Sequence, residues 1–356
     1  MTILSIPEIK KRIEKYPKKQ LIHLPTPFQK LENLTQLLQG PEIYIKRDDL
    51  TGLAFGGNKS RKLEFIIHDA LDKKADVIIT WASVQSNWCL QTAAAARKFG
   101  IKPVLILFKT YDLPDEYDGN LLLDFILDAD VRIMEAEKGK VVSEEYASEI
   151  IEGIVNEVRE WGYTPYIAPI GGSMKGGSME RPLGAISYVN AFAEMLEQAE
   201  ELGVEVDYVV HSSGSGGTQG GLAVGAKALA EKVKVLGISV SDEKESFGND
   251  VFTIAQDTCQ ALDLNISLEK KDIVVFDDYI KEGYGIVNSE VSEIIRLMAM
   301  KEGIFLDPVY TGKAMVALVD LIKKGYFSRE DTVVFFHTGG TPALFPNKHK
   351  LLNFLK

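Results

Sequence analysis

The sequence predicts an α/β protein built from two three-layer domains with mostly parallel sheets. Three observations predict it. Short apolar runs alternate with helical patterns from residue 70 onward. A second alternating run follows the first with no low-complexity tract or internal repeat between them. The loops after several of the apolar runs are rich in Gly, Ser, Thr and Asn, the residues found where ligands sit beyond the carboxyl ends of parallel strands.

The elements follow in order. The segment MTILSIPEIKKRIEKYPKK at residues 1–19 has no apolar core and reads as a short helix, not a signal peptide. VIITWA at 77–82 is a buried strand, and residues 87–99, with four successive alanines, form a helix ended by Gly100. VLILF at 104–108, a helix over 119–129, VRIME at 131–135 and a helix over 143–161 complete a βαβαβα run. The second run has a strand over 164–170, a helix over 180–202, VDYVV at 206–210, a helix over 219–231 and a strand over 233–239. Helices over 249–263, 288–301 and 312–323 and the strand VVFF at 333–336 close it. The first ~50 residues are expected to join the second unit.

Composition narrows the function. With 356 residues, 46% hydrophobic and 26% charged, the chain can bury its own core. A net charge of −11 argues against general nucleic-acid binding, and no apolar run is long enough to span a bilayer. Two cysteines, Cys89 and Cys259, offer neither a disulfide framework nor a metal pair and suit the cytoplasm.

Four loops carry the chemistry. In FGGNKSRKLE (55–64), Lys59 stands between a glycine pair and a helical pattern. A solvated lysine is the bland alternative. A lysine closed between domains can instead lose its proton and condense with a carbonyl cofactor. A P-loop is discounted, because the first glycine is wrongly spaced and no strand runs into it.

HSSGSGGTQGG (211–221) lies between a strand and an Ala/Leu/Val helix. Gly214, Ser215, Gly216, Gly217 and Thr218 form a cup for one phosphate at a helix N-terminus. A nicotinamide dinucleotide site competes with this reading, as does a non-catalytic metabolite-binding role. The dinucleotide register fails at Gln219, and no clear acidic residue ends the next strand, where Asp242 comes a little late. In SVQSNW (83–88), Ser86 and Asn87 begin a helix, as ligand groups or as simple caps. In HTGGTPALF (337–345), Thr338 stands at a strand end, while His337 reads as structural.

These loops, in this order, resemble the pyridoxal-phosphate enzymes of the tryptophan-synthase-β fold. More narrowly they resemble the 1-aminocyclopropane-1-carboxylate deaminase / D-cysteine desulfhydrase family. The resemblance runs through LPTPF (24–28), IKRDDL (45–50), GGNKSRKLE (56–64), QSN (85–87), GSGGTQ (214–219), YGIVN (284–288), DPVYTGK (307–313) and HTGG (337–340). It implies a larger cofactor-binding domain from 1–57 plus 166–356, a smaller one from 58–165, an active site between them, and a homodimer.

By the same resemblance, Lys59 carries the cofactor and Lys62 reaches its phosphate beside the 214–218 cup. Asn87 bonds the ring oxygen, Ser86 is the catalytic serine, and Tyr284 and Tyr310 flank ring and substrate. Thr311 and Thr338 are of the desulfhydrase type, where the deaminases carry Glu and Leu. A carboxylate keeps a pyridine nitrogen protonated and makes a strong electron sink, and a threonine makes a weaker one. The pair therefore implies α,β-elimination from a small amino acid, D-cysteine above all, to pyruvate, ammonia and hydrogen sulfide. The alternatives are L-cysteine, cysteate, another β-substituted alanine or 1-aminocyclopropane-1-carboxylate.

Two loops depart from the family pattern. WCLQ (88–91) replaces a stretch containing basic residues, and GGSM (171–174) runs into the longer KGGSMERP (175–182). Losing cations removes a partner for an anionic β-group unless Lys175 or Arg181 supplies one.

Overall fold

The computed structural model describes residues 4–110, 117–138, 142 and 144–356. The chain begins α1 (Ile6–Ile13), β1 (Phe28–Lys30), α2 (Glu32–Leu38), β2 (Glu42–Lys46) and α3 (Asn58–Asp72). The first alternating run is β3 (Val77–Ser83), α4 (Asn87–Lys98), β4 (Lys102–Lys109), α5 (Gly119–Ile126), β5 (Asp130–Glu135), α6 (Glu144–Glu160) and β6 (Pro165–Ile167). The second is α7 (Leu183–Glu201), β7 (Tyr208–Ser213), α8 (Gly217–Leu229), β8 (Lys234–Ser239), α9 (Lys244–Ala261) and β9 (Val274–Phe276). The chain ends with α10 (Ser289–Glu302), α11 (Thr311–Lys323), β10 (Thr332–Phe336) and α12 (Lys348–Leu355).

Two sheets result. One has six strands in the order β1-β2-β10-β7-β8-β9, the other four in the order β5-β4-β3-β6. Every pairing is parallel except β1 with β2. Strand β2 pairs with β10, so residues from both ends of the chain share one sheet.

Each sheet is covered on both faces, which is why its strands read as near-continuous apolar runs. In the four-stranded sheet, Val77, Ile79 and Trp81 pack with Ile151, Val155 and Val158 of α6. Ile78, Leu105 and Leu107 pack on the other side with Ile66 of α3 and Ala93 of α4. In the six-stranded sheet, Val210, Leu236 and Phe335 meet α10 and α11, while Val209, Val334 and Phe336 meet α7 and α8.

Several predicted boundaries move. The strand predicted over 164–170 spans only Pro165–Ile167, because the chain turns at Gly171 (φ 66°). The strand predicted over 206–210 runs on through His211 to Ser213, and the helix after it starts at Gly217, so the Gly-rich loop is shorter than it reads. The helix predicted from 180 begins after Pro182, and the one predicted from 249 begins at Lys244. Residue 143 lies outside the described residues. Strands β1, β2 and β9 are short and were not anticipated.

Candidate active site

The loops after β3, β7, β8 and β10 converge with the first turn of α3 on one cavity. Local backbone chemistry sets the first of these. Gly57 has φ 136° and bridges to Gly339 in an isolated antiparallel pair. A Cβ there would sit 2.7 Å from Gln91 Nε2 and 3.0 Å from the Thr338 carbonyl, so only glycine lets the two loops touch. Asn58 N–H then donates to the Thr338 carbonyl at 3.0 Å. Lys59 and Thr338 are thereby held on the same wall.

Lys59 is half-buried and faces the cavity. Desolvation by the surrounding protein lowers its ammonium pKa to about 8. At pH 7 about a tenth of it is then neutral, against about three in ten thousand for an ordinary lysine. Lys62, one turn on, is fully buried and donates to the Gly171 carbonyl at 3.1 Å. Burial, and then the charge of Lys59, push its ammonium far down. These two amines, unpaired by any carboxylate among the described residues, make a site that an anion would stabilise.

The cup adjoins them, joined to the start of α3 through Asn58 and Thr218. Gly214, Ser215, Gly216 and Thr218 line the cavity. Gly216 caps α8 in the left-handed region (φ 78°), which turns the chain so that the helix N-terminus faces inward. Ser215 Oγ lies 2.9 Å from Ser173 Oγ, and Thr218 Oγ1 accepts from Asn58 Nδ2 at 3.1 Å. Ser213 Oγ, also on the wall, is buried without a hydrogen-bond partner. Buried polar atoms are normally paired, so an unpaired hydroxyl beside a cationic cup fits a phosphate ligand.

Ser86 and Asn87 form the third wall. Ser86 Oγ accepts from Cys89 N–H at 3.1 Å, so it both caps α4 and faces the cavity. Asn87 Oδ1 accepts from Asn120 Nδ2 at 2.9 Å, which leaves its amide N–H groups for a ligand. Tyr284 and Tyr310 complete the enclosure. Their hydroxyls lie 2.6 Å apart, and Ser83 Oγ is 3.1 Å from Tyr284 Oη. Thr338 Oγ1 is 3.0 Å from Ser212 Oγ.

The structure thus brings Lys59, Ser86, Asn87, Gly214, Ser215, Gly216, Thr218, Tyr284, Tyr310 and Thr338 to one cavity. Three of the anticipated residues are not on its wall. Gly217 opens α8 just behind the cup, and Lys62 sits beneath it. Thr311 lies behind the wall. Its hydroxyl donates to Asp307 Oδ1 at 2.7 Å and accepts from Asp307 N–H at 2.8 Å, so it closes the turn that starts α11. His337 is structural, as read: Nε2 bonds the Phe305 carbonyl and Nδ1 accepts from Gly339 N–H.

Sequence reasoning missed Ser83, Ser213, Trp81 and Thr110. All four line the cavity from the ends of parallel strands. Ser83 and Ser213 sit within the loops already singled out, and the strand-end rule alone could have found them.

A lysine with a lowered pKa, a phosphate cup at a helix N-terminus and hydroxyls on a closed wall define a pyridoxal-phosphate site. Comparison with known proteins agrees. The model of the family described as pyridoxal-phosphate dependent enzyme matches residues 19–339. A putative 1-aminocyclopropane-1-carboxylate deaminase of Pyrococcus furiosus is 41% identical over 98% of this chain and 99% of its own. A D-cysteine desulfhydrase of Klebsiella pneumoniae is 40% identical over 94% of this chain and 97% of its own. A crystal structure of an ACC deaminase homologue superposes with a TM-score of 0.87 at 37% identity, covering 98% and 99% of the two chains. The chain belongs to the pyridoxal-phosphate dependent enzymes and, within them, to the 1-aminocyclopropane-1-carboxylate deaminase / D-cysteine desulfhydrase family. It has the tryptophan-synthase-β-like fold, and its cofactor is pyridoxal phosphate.

Proposed function

We propose that this enzyme eliminates the β-substituent of a small amino acid, with D-cysteine as the first substrate, giving pyruvate, ammonia and hydrogen sulfide. The observation that carries this reading is the hydroxyl pair Thr338–Ser212 at the end of β10. Thr338 stands where the deaminases carry Leu, and Thr311 where they carry Glu, so neither position offers a carboxylate. This suits expulsion of a good leaving group better than the opening of a cyclopropane, which needs stronger stabilisation of charge.

When bound, pyridoxal phosphate supplies an electron sink for charge at the substrate Cα. The 214–218 cup and the N-terminus of α8 would hold its phosphate, with Lys62 beneath. Asn87 and Thr338 would bond its ring substituents. The N-terminus of α4, with Ser86, would orient the substrate carboxylate. The Lys59 amine, close to half-titrated near pH 8, would take the Cα proton, and the Tyr284–Tyr310 pair would hold a proton for the departing group.

The test is release of sulfide and pyruvate from D-cysteine by cofactor-loaded protein, with L-cysteine in parallel. Equal release of both products from the D form, with little from the L form, is expected. No release with cofactor bound would overturn the assignment.

We also propose a homodimer. Tyr117, Leu122, Phe125 and Ile126 in and beside α5 are exposed, as is Phe345 beside the turn that α5 packs against. An apolar face of this kind favours a second copy over water. Ile126→Glu should shift the mass measured by light scattering from two chains to one. The buried free cysteines Cys89 and Cys259 suit a reducing compartment, and we place the enzyme in the cytoplasm. Among the described residues no helix is long and apolar enough to cross a membrane.

A further inference from the structure

The cavity wall is charged unevenly. Lys59 and the cup lie deep, while the loop after β8 and the start of α9 add Asp242 and Asp250. Among the described residues, these two carboxylates and Lys59 are the charged side chains on the wall. Partial burial and then the charge of Asp242 raise the Asp250 carboxyl.

The two cations that the 171–182 loop could offer are engaged elsewhere. Lys175 Nζ lies 2.5 Å from Asp257 Oδ1, and Arg181 donates to the Glu180 carbonyl at 3.3 Å. Trp88 and Met174 face the cavity from the two departing loops. Independently, two buried hydrogen-bonding groups on this wall have no partner: Trp81 Nε1 and Thr110 Oγ1, on residues 2% and 1% exposed. An indole N–H only donates and a hydroxyl does either, so both suit a polar ligand group.

A bound amino acid brings its own carboxylate, and the cofactor brings a phosphate. The cup, Lys62 and the helix N-termini answer those two charges. A third anion, on the β-carbon, would meet two carboxylates and, among the described residues, no cation besides Lys59. Like charges in a partly desolvated cleft repel, and a cation there is attracted.

We infer that this cavity selects β-substituted alanines by the charge of the β-group, admitting neutral or cationic substituents and rejecting anionic ones, with Asp242 and Asp250 as the specificity-determining residues. The inference rests on the elimination reading and narrows it. Cysteate and phosphoserine are excluded as substrates. A thiol, a chloride or an ammonium group is admitted. With 2,3-diaminopropionate, the Cα–H and Cβ–N bonds break, ammonia leaves, and hydrolysis of the remaining enamine yields pyruvate and a second ammonia.

The test uses cofactor-loaded protein and three probes of similar size, in both hands: β-chloroalanine, 2,3-diaminopropionate and cysteate. Binding is read from the change in cofactor absorbance, separately from pyruvate. Cysteate should bind at least tenfold more weakly than the other two. In the Asp242→Asn/Asp250→Asn variant, at partly exposed positions that do not endanger the fold, the ratio of cysteate to diaminopropionate affinity should rise at least fivefold. Cysteate binding as tightly as chloroalanine, or an unchanged ratio in the variant, would overturn the inference. Chloroalanine that binds without releasing pyruvate would instead sink the elimination reading, and the binding ranks would still decide the charge rule.

Discussion

Lys59→Ala should lower turnover by at least about a thousandfold, the loss expected when a positioned proton-transfer group is removed. The reason is geometric. Lys59 is the amine on the cavity wall, placed there by the Gly57–Gly339 bridge and the first turn of α3. Its partner lysine, Lys62, is tied to the Gly171 carbonyl and cannot replace it without breaking that contact. Lys59→Arg should fail equally, because a guanidinium does not give up its proton. Steady-state pyruvate release checks both variants. Borohydride reduction of the wild type, followed by peptide mapping, should place the cofactor label on Lys59. The melting temperature should hardly change, since the side chain is half-buried and makes no ion pair. The pH dependence has a definite sign. Burial lowers this amine to about 8, so capture of free pyridoxal phosphate by the apo protein should rise with pH and level off above about 8, two units below an ordinary lysine. Full turnover by Lys59→Ala would remove the basis of the assignment.

Much of this was legible in the sequence because parallel sheets advertise themselves. Strands such as VIITWA and VVFF are buried on both faces, so their apolar runs stand out from the helical patterns around them. The strand-end loops could then be read for chemistry, and ten of the anticipated residues share one cavity. What stayed hidden had physical causes. β1, β2 and β9 are three to five residues long, too short for periodicity to register. The partners of Thr311 were not legible, because sequence shows a residue type, not the direction of its side chain. Asp307 accepts from three successive backbone N–H groups, of Val309, Tyr310 and Thr311, and takes the Thr311 hydroxyl as well. Asp242 and Asp250 stayed hidden for a different reason: nothing in a strand-to-helix loop or in the first turns of a helix tells which acid looks inward.

The motifs IKRDDL and GGNKSRKLE also contain a structural device that sequence alone does not reveal. Arg61 is 3% exposed and makes a two-pronged contact with Asp48, Nε to Oδ2 and Nη2 to Oδ1, both at 2.8 Å. The same guanidinium donates to both Glu194 oxygens, at 3.0 and 2.8 Å, and to Thr26 Oγ1. Lys46 Nζ joins at Glu194 Oε1, 2.6 Å away, and Tyr188 donates to Asp48 Oδ2 at 2.6 Å. The network pins α3 to α7 and to the end of β2, two residues from Lys59. Arg61→Met should therefore cost about 3–5 kcal/mol in denaturant unfolding, because it leaves buried carboxylates uncompensated. It should also weaken pyridoxal phosphate binding, since the turn that carries Lys59 loses its anchor. Replacing Arg61, Asp48, Glu194 and Lys46 together by apolar residues of similar volume, with Tyr188→Phe, should recover most of the stability, which a simple loss of packing at Arg61 would not. The acid limb supplies an independent reading. Burial alone would raise the Glu194 carboxyl. The Arg61 hydrogen bonds and charge, and then Lys46, outweigh it and hold the group at about 2. Lys46 cannot be the main holder, because burial pulls its own ammonium down despite the pair. A carboxyl kept below its unfolded value contributes stability that is complete above about pH 4.5 and lost as pH falls through about 2, here about 3 kcal/mol. Unfolding free energies measured between pH 5 and about 2 should fall steeply in the wild type and more gently in Glu194→Gln. Equal slopes would mean that the guanidinium does not hold this carboxyl, and that α3 is anchored by its apolar face alone.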